Sequence, residues 1–575
     1  MNSRMRLCAI SAMTAGLLGG LSPSALAQLT DQTTTANPSR VQEQLGGAVF
    51  DPRVMPRVEV REGVLQQAPA GAEKINFKLD RLNIEGVSAY DQDELNSMVA
   101  DKLGQTITLA ELYAIAADIT RKYRNDGYIL TQVVVPPQTI EGGTARLQVV
   151  EGYIGNVEVR GNGDHIEDAV QLARGYALLV QGQSAALNVR QLERALLMIN
   201  DIPGVSARSI LSPSESAAGA ADLLIMVERD TFEGQFSLDN HGSRYLGPVQ
   251  VGAAAISNGL LGLNERVSAQ MAYAPDEDFH DELVYLGLGY AMPVWKYGTM
   301  LDIAVDATET DPGYTLDAFD VKGSSRHVSI GMSHPFARTR NFNLTGRFSF
   351  DWRNVETKNN VENPRKDNIR SVRAGGRVEF IDSLMNVAYN ILDVELAHGL
   401  GIMNASTDRD TNVSRPGADS DFFKMEAEYQ RLQRLTSKVN VLLGVKGQWS
   451  DEALFSTEEF GVGGVSYGRG YDPSEIIGDD GIAGKIELQW NNPTAPTLIE
   501  HYQLYSFFDA GTVWDKDATT SDLKQETATS AGFGVRADLT PSTQTGAFVA
   551  WPLNRRVETQ GDSDPRFYLN VSHKF

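Results

Sequence analysis

The 575 residues contain one cysteine, Cys8. It lies in a leader-like stretch, so the chain from residue 28 onward has no thiol for a disulfide, a zinc thiolate or a nucleophile. The eight histidines are scattered, and no H-E-x-x-H or comparable ligand spacing joins any of them, so metal catalysis finds no support. No Walker-type Gly-Lys-Ser/Thr loop occurs, and no cofactor is expected. Positive charge is in deficit too: 51 Lys and Arg stand against 74 Asp and Glu, a formal net charge of −23 that becomes −25 without Arg4 and Arg6. Such acidity argues against a nucleic-acid partner. Long apolar runs are also missing. One stretch, residues 7–21, is mostly apolar; it follows Arg4 and Arg6 and precedes Ala25-Leu-Ala27. It falls short of the ~20 residues a spanning helix needs. Residues 1–27 therefore read as a cleavable secretory signal. An exported chain without a membrane helix can still cross a membrane as a closed β-barrel.

What is present supports that alternative. After Asp230 the chain alternates with period two in segment after segment, with no helical pattern of comparable strength. Val439, Val441, Leu443 and Val445 oppose Asn440, Gly444, Lys446 and Gln448, with Leu442 the one exception, and Ile486, Leu488 and Trp490 oppose Lys485, Glu487 and Gln489. One face suits lipid and the other water. Sixteen such segments, centred from near residue 237 to near residue 571, are joined alternately by short turns and by long polar loops. That asymmetry predicts a sixteen-stranded antiparallel outer-membrane barrel over residues 230–575. The last segment places Phe567, Leu569, Val571, His573 and Phe575 on its lipid face. A soluble sandwich is the alternative, but such an apolar terminal strand would leave it with an aggregation-prone edge.

Ahead of the barrel, two units of about 75 residues repeat one order, strand-helix-helix-strand-strand, over residues 75–152 and 153–229. Gly86 and Gly161 hold equivalent places. In the first unit Leu112, Ile115, Ala116, Ile119 and Tyr123 fall on one helical face. The fold class is thus α+β modules followed by an all-β barrel. Residues 28–50 contain a short helix at 37–45, with Asn37 as cap and Pro38 at its first position. Residues 51–74 read as linker.

The segment 451–481 is rich in glycine and carries one cation, Arg469, between Tyr467 and Tyr471. Its expected destination is Asp509, a carboxylate in an otherwise apolar strand. Asp509 must face the lumen with Tyr505, Phe507 and Gly511, leaving Phe508 and Ala510 to lipid. Lumen water is expected to reach the pair, which would then be worth only ~0–1 kcal/mol and would set the loop's position. Gly464, Ser466 and Gly468 match G-x-S-x-G, but that elbow needs a strand-turn-helix context and no helical pattern follows Ser466. The acidic run 276–282 reads as a solvated outer face that could hold divalent cations bridging lipopolysaccharide.

Two such modules before an exported sixteen-strand barrel resemble the POTRA domains and barrel of a two-partner secretion transporter, the haemolysin secretion/activation type. Gly468-Arg469-Gly470-Tyr471 is similar to that family's (V)RGY loop motif, with Gly468 in place of valine. Phe507, Asp509 and Gly511 match its F-x-D-x-G strand motif, and residues 37–45 look like its plug helix. The resemblance places the glycine loop between strands eleven and twelve and the carboxylate on strand thirteen. It implies no enzyme but a type V translocator in the outer membrane, with POTRA domains in the periplasm. Its passenger would be a β-helical exoprotein, unfolded in transit. Other implied partners are outer-membrane lipid, lipopolysaccharide and the barrel assembly machinery, which would read Phe567, Leu569, Val571 and Phe575 as an assembly signal. An outer-membrane protein assembly factor of the same superfamily is the alternative. A diffusion porin is disfavoured, having no use for two docking modules.

Overall fold

The computed structural model describes residues 36–41, 58–60 and 66–575, apart from the short breaks 164–165, 182–185, 215–216, 218, 277–279, 295–296, 493–498 and 517–523. The expected leader and most of the segment 28–50 lie outside the described residues, as does part of the acidic run 276–282.

The first module contains β3 (Arg81–Glu85), α1 (Gln92–Ser97), α2 (Leu109–Asn125), β5 (Gln132–Val134) and β6 (Thr144–Val150), after a small pair of β2 (Asn76–Lys78) with β4 (Thr106–Thr108). Thr108 starts α2 with a capping box: its hydroxyl accepts from the Glu111 N–H at 3.1 Å, and the Glu111 carboxylate accepts from the Thr108 N–H at 2.7 Å. The buried face of α2 carries Leu112, Ile115, Ala116, Ile119 and Tyr123, as its spacing predicted. The second module repeats the plan with β7 (Tyr153–Asn162), α3 (Glu167–Leu178), α4 (Val189–Asn200), β8 (Val205–Pro213) and β9 (Ala220–Arg229). Sheet order is β3-β6-β5 in one and β7-β9-β8 in the other, so the last strand is central in each. Gly86, at a φ of 82°, closes the first turn where a Cβ would lie 2.3 Å from the Val149 carbonyl.

Residues 51–74 are not simply a linker. Within them β1 (Val58–Val60) adds a parallel strand to the edge of β8, pairing Val58 with Ser209 and Val60 with Leu211. Just beyond, the Gln66 amide accepts from the Val135 N–H at 2.7 Å and donates to its carbonyl at 3.3 Å, at the end of β5. The segment thus touches the equivalent outer strand of both modules.

The barrel opens with β10 (Phe232–Asp239), and each strand pairs with the next up to β20 (Val439–Ser450). There the chain leaves the wall as the hairpin β21 (Phe460–Val462) and β22 (Ile476–Gly478), then returns as β23 (Asp480–Asn492). The sheet continues through β24 (His501–Trp514) to β27 (Arg566–Lys574), which pairs with β10 and closes a sixteen-strand barrel. Every expected segment centre falls within one of its strands. Outward positions are apolar: Leu286, Leu288, Ile330, Phe348, Phe508 and Phe533 are exposed, and so are Phe567, Leu569 and Val571 on β27 and Phe575 just past its end. A soluble protein would not leave so much apolar surface to water. Trp449 and Trp514 sit at the loop end of this band and Phe342 and Trp490 at the turn end, the aromatic girdles of a membrane barrel.

The second module docks on the turn end. Arg338 donates twice to Asp201 at 2.8 Å, and Arg340 meets Glu193 at 3.2 Å. Asp168 accepts from the Asn264 N–H and from Arg229, whose side chain is fully buried.

Candidate functional site

The segment 451–481 folds back into the barrel between strands eleven and twelve, as its place in the sequence predicts. Two glycines, one in the wall and one in the loop, make room for it. A Cβ at Gly511 would lie 2.6 Å from a methyl of Val462, so strand thirteen must be bare there for β21 to pack. At Gly470 a Cβ would lie 2.8 Å from Ser530 and 3.0 Å from the Pro552 nitrogen, which brings the loop backbone onto the wall. Gly468 turns the chain with a φ of 104°.

That turn delivers Arg469. Its Nε donates to Asp509 Oδ2 at 2.9 Å and its Nη2 to Oδ1 at 2.8 Å, a bidentate fork. The Arg469 backbone N–H donates to the same Oδ2 at 3.0 Å, and the Gly468 N–H reaches it at 3.3 Å. Arg469 Nη1 donates to Glu487 Oε2 at 2.5 Å, and Arg536 holds the other oxygen of Glu487 at 2.7 Å. Phe507 lies flat beneath the guanidinium, 3.6 Å from Cζ to ring centroid, and Arg536 stacks similarly on Tyr505 at 3.8 Å. Tyr471 donates to the Thr529 carbonyl at 3.0 Å, and Tyr467 to Glu428 at 2.9 Å. All seven expected motif residues therefore meet in one cluster.

The expectation that lumen water reaches the pair is not met. The Arg469 and Asp509 side chains are 6% and 0% exposed. Phe507 covers one face of the guanidinium, and the hairpin's Phe460, Val462 and Ile476 are buried in one cluster with Tyr467, Tyr471 and Val513. Sequence reasoning also missed Glu487 as the second acceptor. The available signal was its inward place on strand twelve, opposite Phe507 in the register. Ser466 lies in the turn of this loop with no helix after it.

The segment 36–41 lies inside the pore beside this loop. Its expected helix appears as one 3-10 turn, Pro38–Arg40, capped by Asn37, which accepts from the Ser39 N–H at 3.0 Å; residues 42–45 lie outside the described residues. Ala36 and Val41 pack among Tyr245, Leu283, Tyr285 and Leu316.

A family model for the haemolysin secretion/activation protein ShlB/FhaC/HecB matches residues 219–537, more than half of the chain, and one for the ShlB-type POTRA domain matches residues 77–152. The chain belongs to the haemolysin secretion/activation family. The heme/hemopexin transporter protein HuxB of Haemophilus influenzae strain 86-028NP is 23% identical over 509 residues, 86% of each chain. The outer membrane transporter CdiB of Escherichia coli strain 536 is 23% identical over 482 residues, 79% of this chain and 78% of that one. The structure of CdiB from Escherichia coli shares the fold at a TM-score of 0.67 and 19% identity, covering 96% of this chain and 99% of that one. The ShlB-type protein is thus an outer-membrane transporter of the two-partner type. Its POTRA modules stand in the periplasm, and its barrel passes an exoprotein to the cell surface.

Proposed function

We propose that this transporter serves one large exoprotein that crosses unfolded and becomes a β-helix outside. The observation that carries the reading is the buried clamp of Arg469 on Asp509 and Glu487, inside a closed pore whose turn end carries two strand-edged modules. A loop held by a dry, multiply bonded ion pair occupies one position, and a loop with one position can define a conduit. The outer strands of the modules suit an extended chain, since β-augmentation needs only a free or exchangeable edge. Folding of the passenger outside supplies direction without a nucleotide. The clamp residues Gly468, Arg469, Gly470, Tyr471, Phe507, Asp509 and Gly511 set the loop. Phe567, Leu569, Val571 and Phe575 face lipid and serve barrel assembly, with lipopolysaccharide and the assembly machinery as further partners.

The test is a deletion strain compared with its parent by proteomics of medium and outer membrane. This reading expects one exoprotein to disappear from the medium while other barrels hold their levels. Loss of many barrels at once would favour an assembly factor and overturn it.

A further inference from the structure

Arg40, the one cation among residues 36–41, is buried at 1% exposure, and each of its donor nitrogens has its own acceptor. Nη1 donates to the Ser456 carbonyl at 2.8 Å, Nη2 to the Glu459 carbonyl at 2.9 Å, and Nε to Ser474 Oγ at 3.1 Å. All three acceptors belong to the loop 451–481, and they come from two stretches separated in sequence. They converge only because β21 pairs with β22, setting Phe460 opposite Gly478 and Val462 opposite Ile476. A glycine makes the space. A Cβ at Gly461 would lie 2.5 Å from Arg40 Nη2 and 2.9 Å from Ser474 Oγ, while its backbone lies outside the left-handed region that would otherwise require glycine. The wall is cut away as well: at Gly323 a Cβ would come within 2.9 and 3.0 Å of the Pro38 ring. Around the turn, Ser39 donates to Thr457 Oγ1 at 3.0 Å, and Arg353 donates to the Ser39 carbonyl at 3.2 Å.

We propose that the lumenal loop carries a guanidinium-binding socket, formed by Ser456, Glu459, Gly461 and Ser474, whose occupant is Arg40, so that seating of the N-terminal segment and locking of the loop are one coupled equilibrium. The socket selects a planar fork. Three acceptors around one side chain match the guanidinium donors, which a lysine ammonium cannot reproduce. None of the three is a carboxylate, because the Glu459 side chain is taken by Arg415 at 2.9 Å. Withdrawal of Arg40 therefore strands no negative charge on the loop, and the contact is reversible where a buried ion pair would not be. The same hairpin runs from the socket to the clamp: Gly461 contacts Arg40, and its neighbour Val462 packs on Gly511, two residues from Asp509. Two ligands of one hairpin bias each other reciprocally.

This inference deepens the translocator reading and rests on it for its meaning. Pore opening, however, is measured without any passenger, so the two fail separately. The full chain is reconstituted in planar bilayers, after heat-modifiable migration has established a closed barrel for each variant. Arg40→Ala, Arg40→Lys and Gly461→Ala are each expected to raise the fraction of time open at least tenfold. The double variant Arg40→Ala/Gly461→Ala should be no more open than its more open parent, since both remove one contact. Maleimide labelling of Ile476→Cys, which is buried in the seated hairpin, should accelerate when Arg40→Ala is added. Wild-type opening in Arg40→Ala, multiplying effects in the double variant, or unchanged labelling would each overturn the proposal. If Gly461→Ala gives no closed barrel, Ser474→Ala takes its place in the same non-additivity test. A strain that loses no exoprotein while these results hold would remove the translocator reading and leave the socket.

Discussion

Arg469→Ala separates a dry clamp from a wet one by magnitude alone. An ion pair open to lumen water contributes ~0–1 kcal/mol. Removing one partner of a buried pair costs ~3–5 kcal/mol, because the other charge is stranded. In this protein the stranded group is Asp509, which would keep only the Gly468 and Arg469 backbone N–H bonds. Glu487 would keep Arg536 and Gln489, so most of the cost falls on one carboxylate. The loop would detach more often by about two to three and a half powers of ten, at ~1.4 kcal/mol per tenfold. The barrel itself should persist, since its strand ladder closes between β10 and β27 without the clamp. The assay is the rate of maleimide labelling at Ile476→Cys, a hairpin position only 2% exposed while the loop is seated, with and without Arg469→Ala, alongside heat-modifiable migration. If stranding is the cause, adding Asp509→Ala should recover part of the loss. A labelling rate within fivefold of the parent, or additive losses in the double variant, would refute the dry-clamp reasoning.

Gly511→Leu should displace the hairpin without touching a charge, because even its Cβ would lie 2.6 Å from Val462; faster labelling of the same loop cysteine checks this. In the first module, burial pulls the Glu151 carboxyl up, but bonds from the Ser88 side chain and N–H, the Ala89 N–H and the Tyr123 hydroxyl hold it below its ordinary value of 4.5. Its folded-state value being depressed, the stabilisation is complete above about 4.5 and is lost as pH falls through the lower folded value. Hydrogen exchange at residues 88–90 should accelerate over that window in the wild type, and Glu151→Gln should show loosened amides already at neutral pH, by about 1–3 kcal/mol. Leu112→Ala should cost ~2–5 kcal/mol, since Leu112 is fully buried in the core of the first module. Exchange across 109–125 in the full chain measures it.

The barrel was legible because each strand divides two solvents. Where Ile486, Leu488 and Trp490 meet lipid and Lys485, Glu487 and Gln489 meet the lumen, the alternation is written in residue type. The position of Arg469 was legible from its glycines, and its target from a carboxylate among aromatics. The dryness of the pair was not, because it arises when the hairpin packs onto the wall, with Val462 against Gly511, and no spacing rule encodes that packing. Arg40 was equally hidden: an arginine in a polar, proline-broken segment reads as solvated until its partners, more than 400 residues away, are folded around it. β1 escaped notice because three residues carry too little pattern, and the strand it joins begins at Val205.

The central claim is that a polypeptide passes through this lumen. A photo-reactive phenylalanine analogue in place of Arg377, whose side chain is 44% exposed to the lumen, tests it in living cells. Illumination during growth should yield one covalent adduct, between the barrel and a single large exoprotein that is found free in the medium of unilluminated cells. No adduct, or a ladder of adducts with precursors of many outer-membrane barrels, would contradict the account.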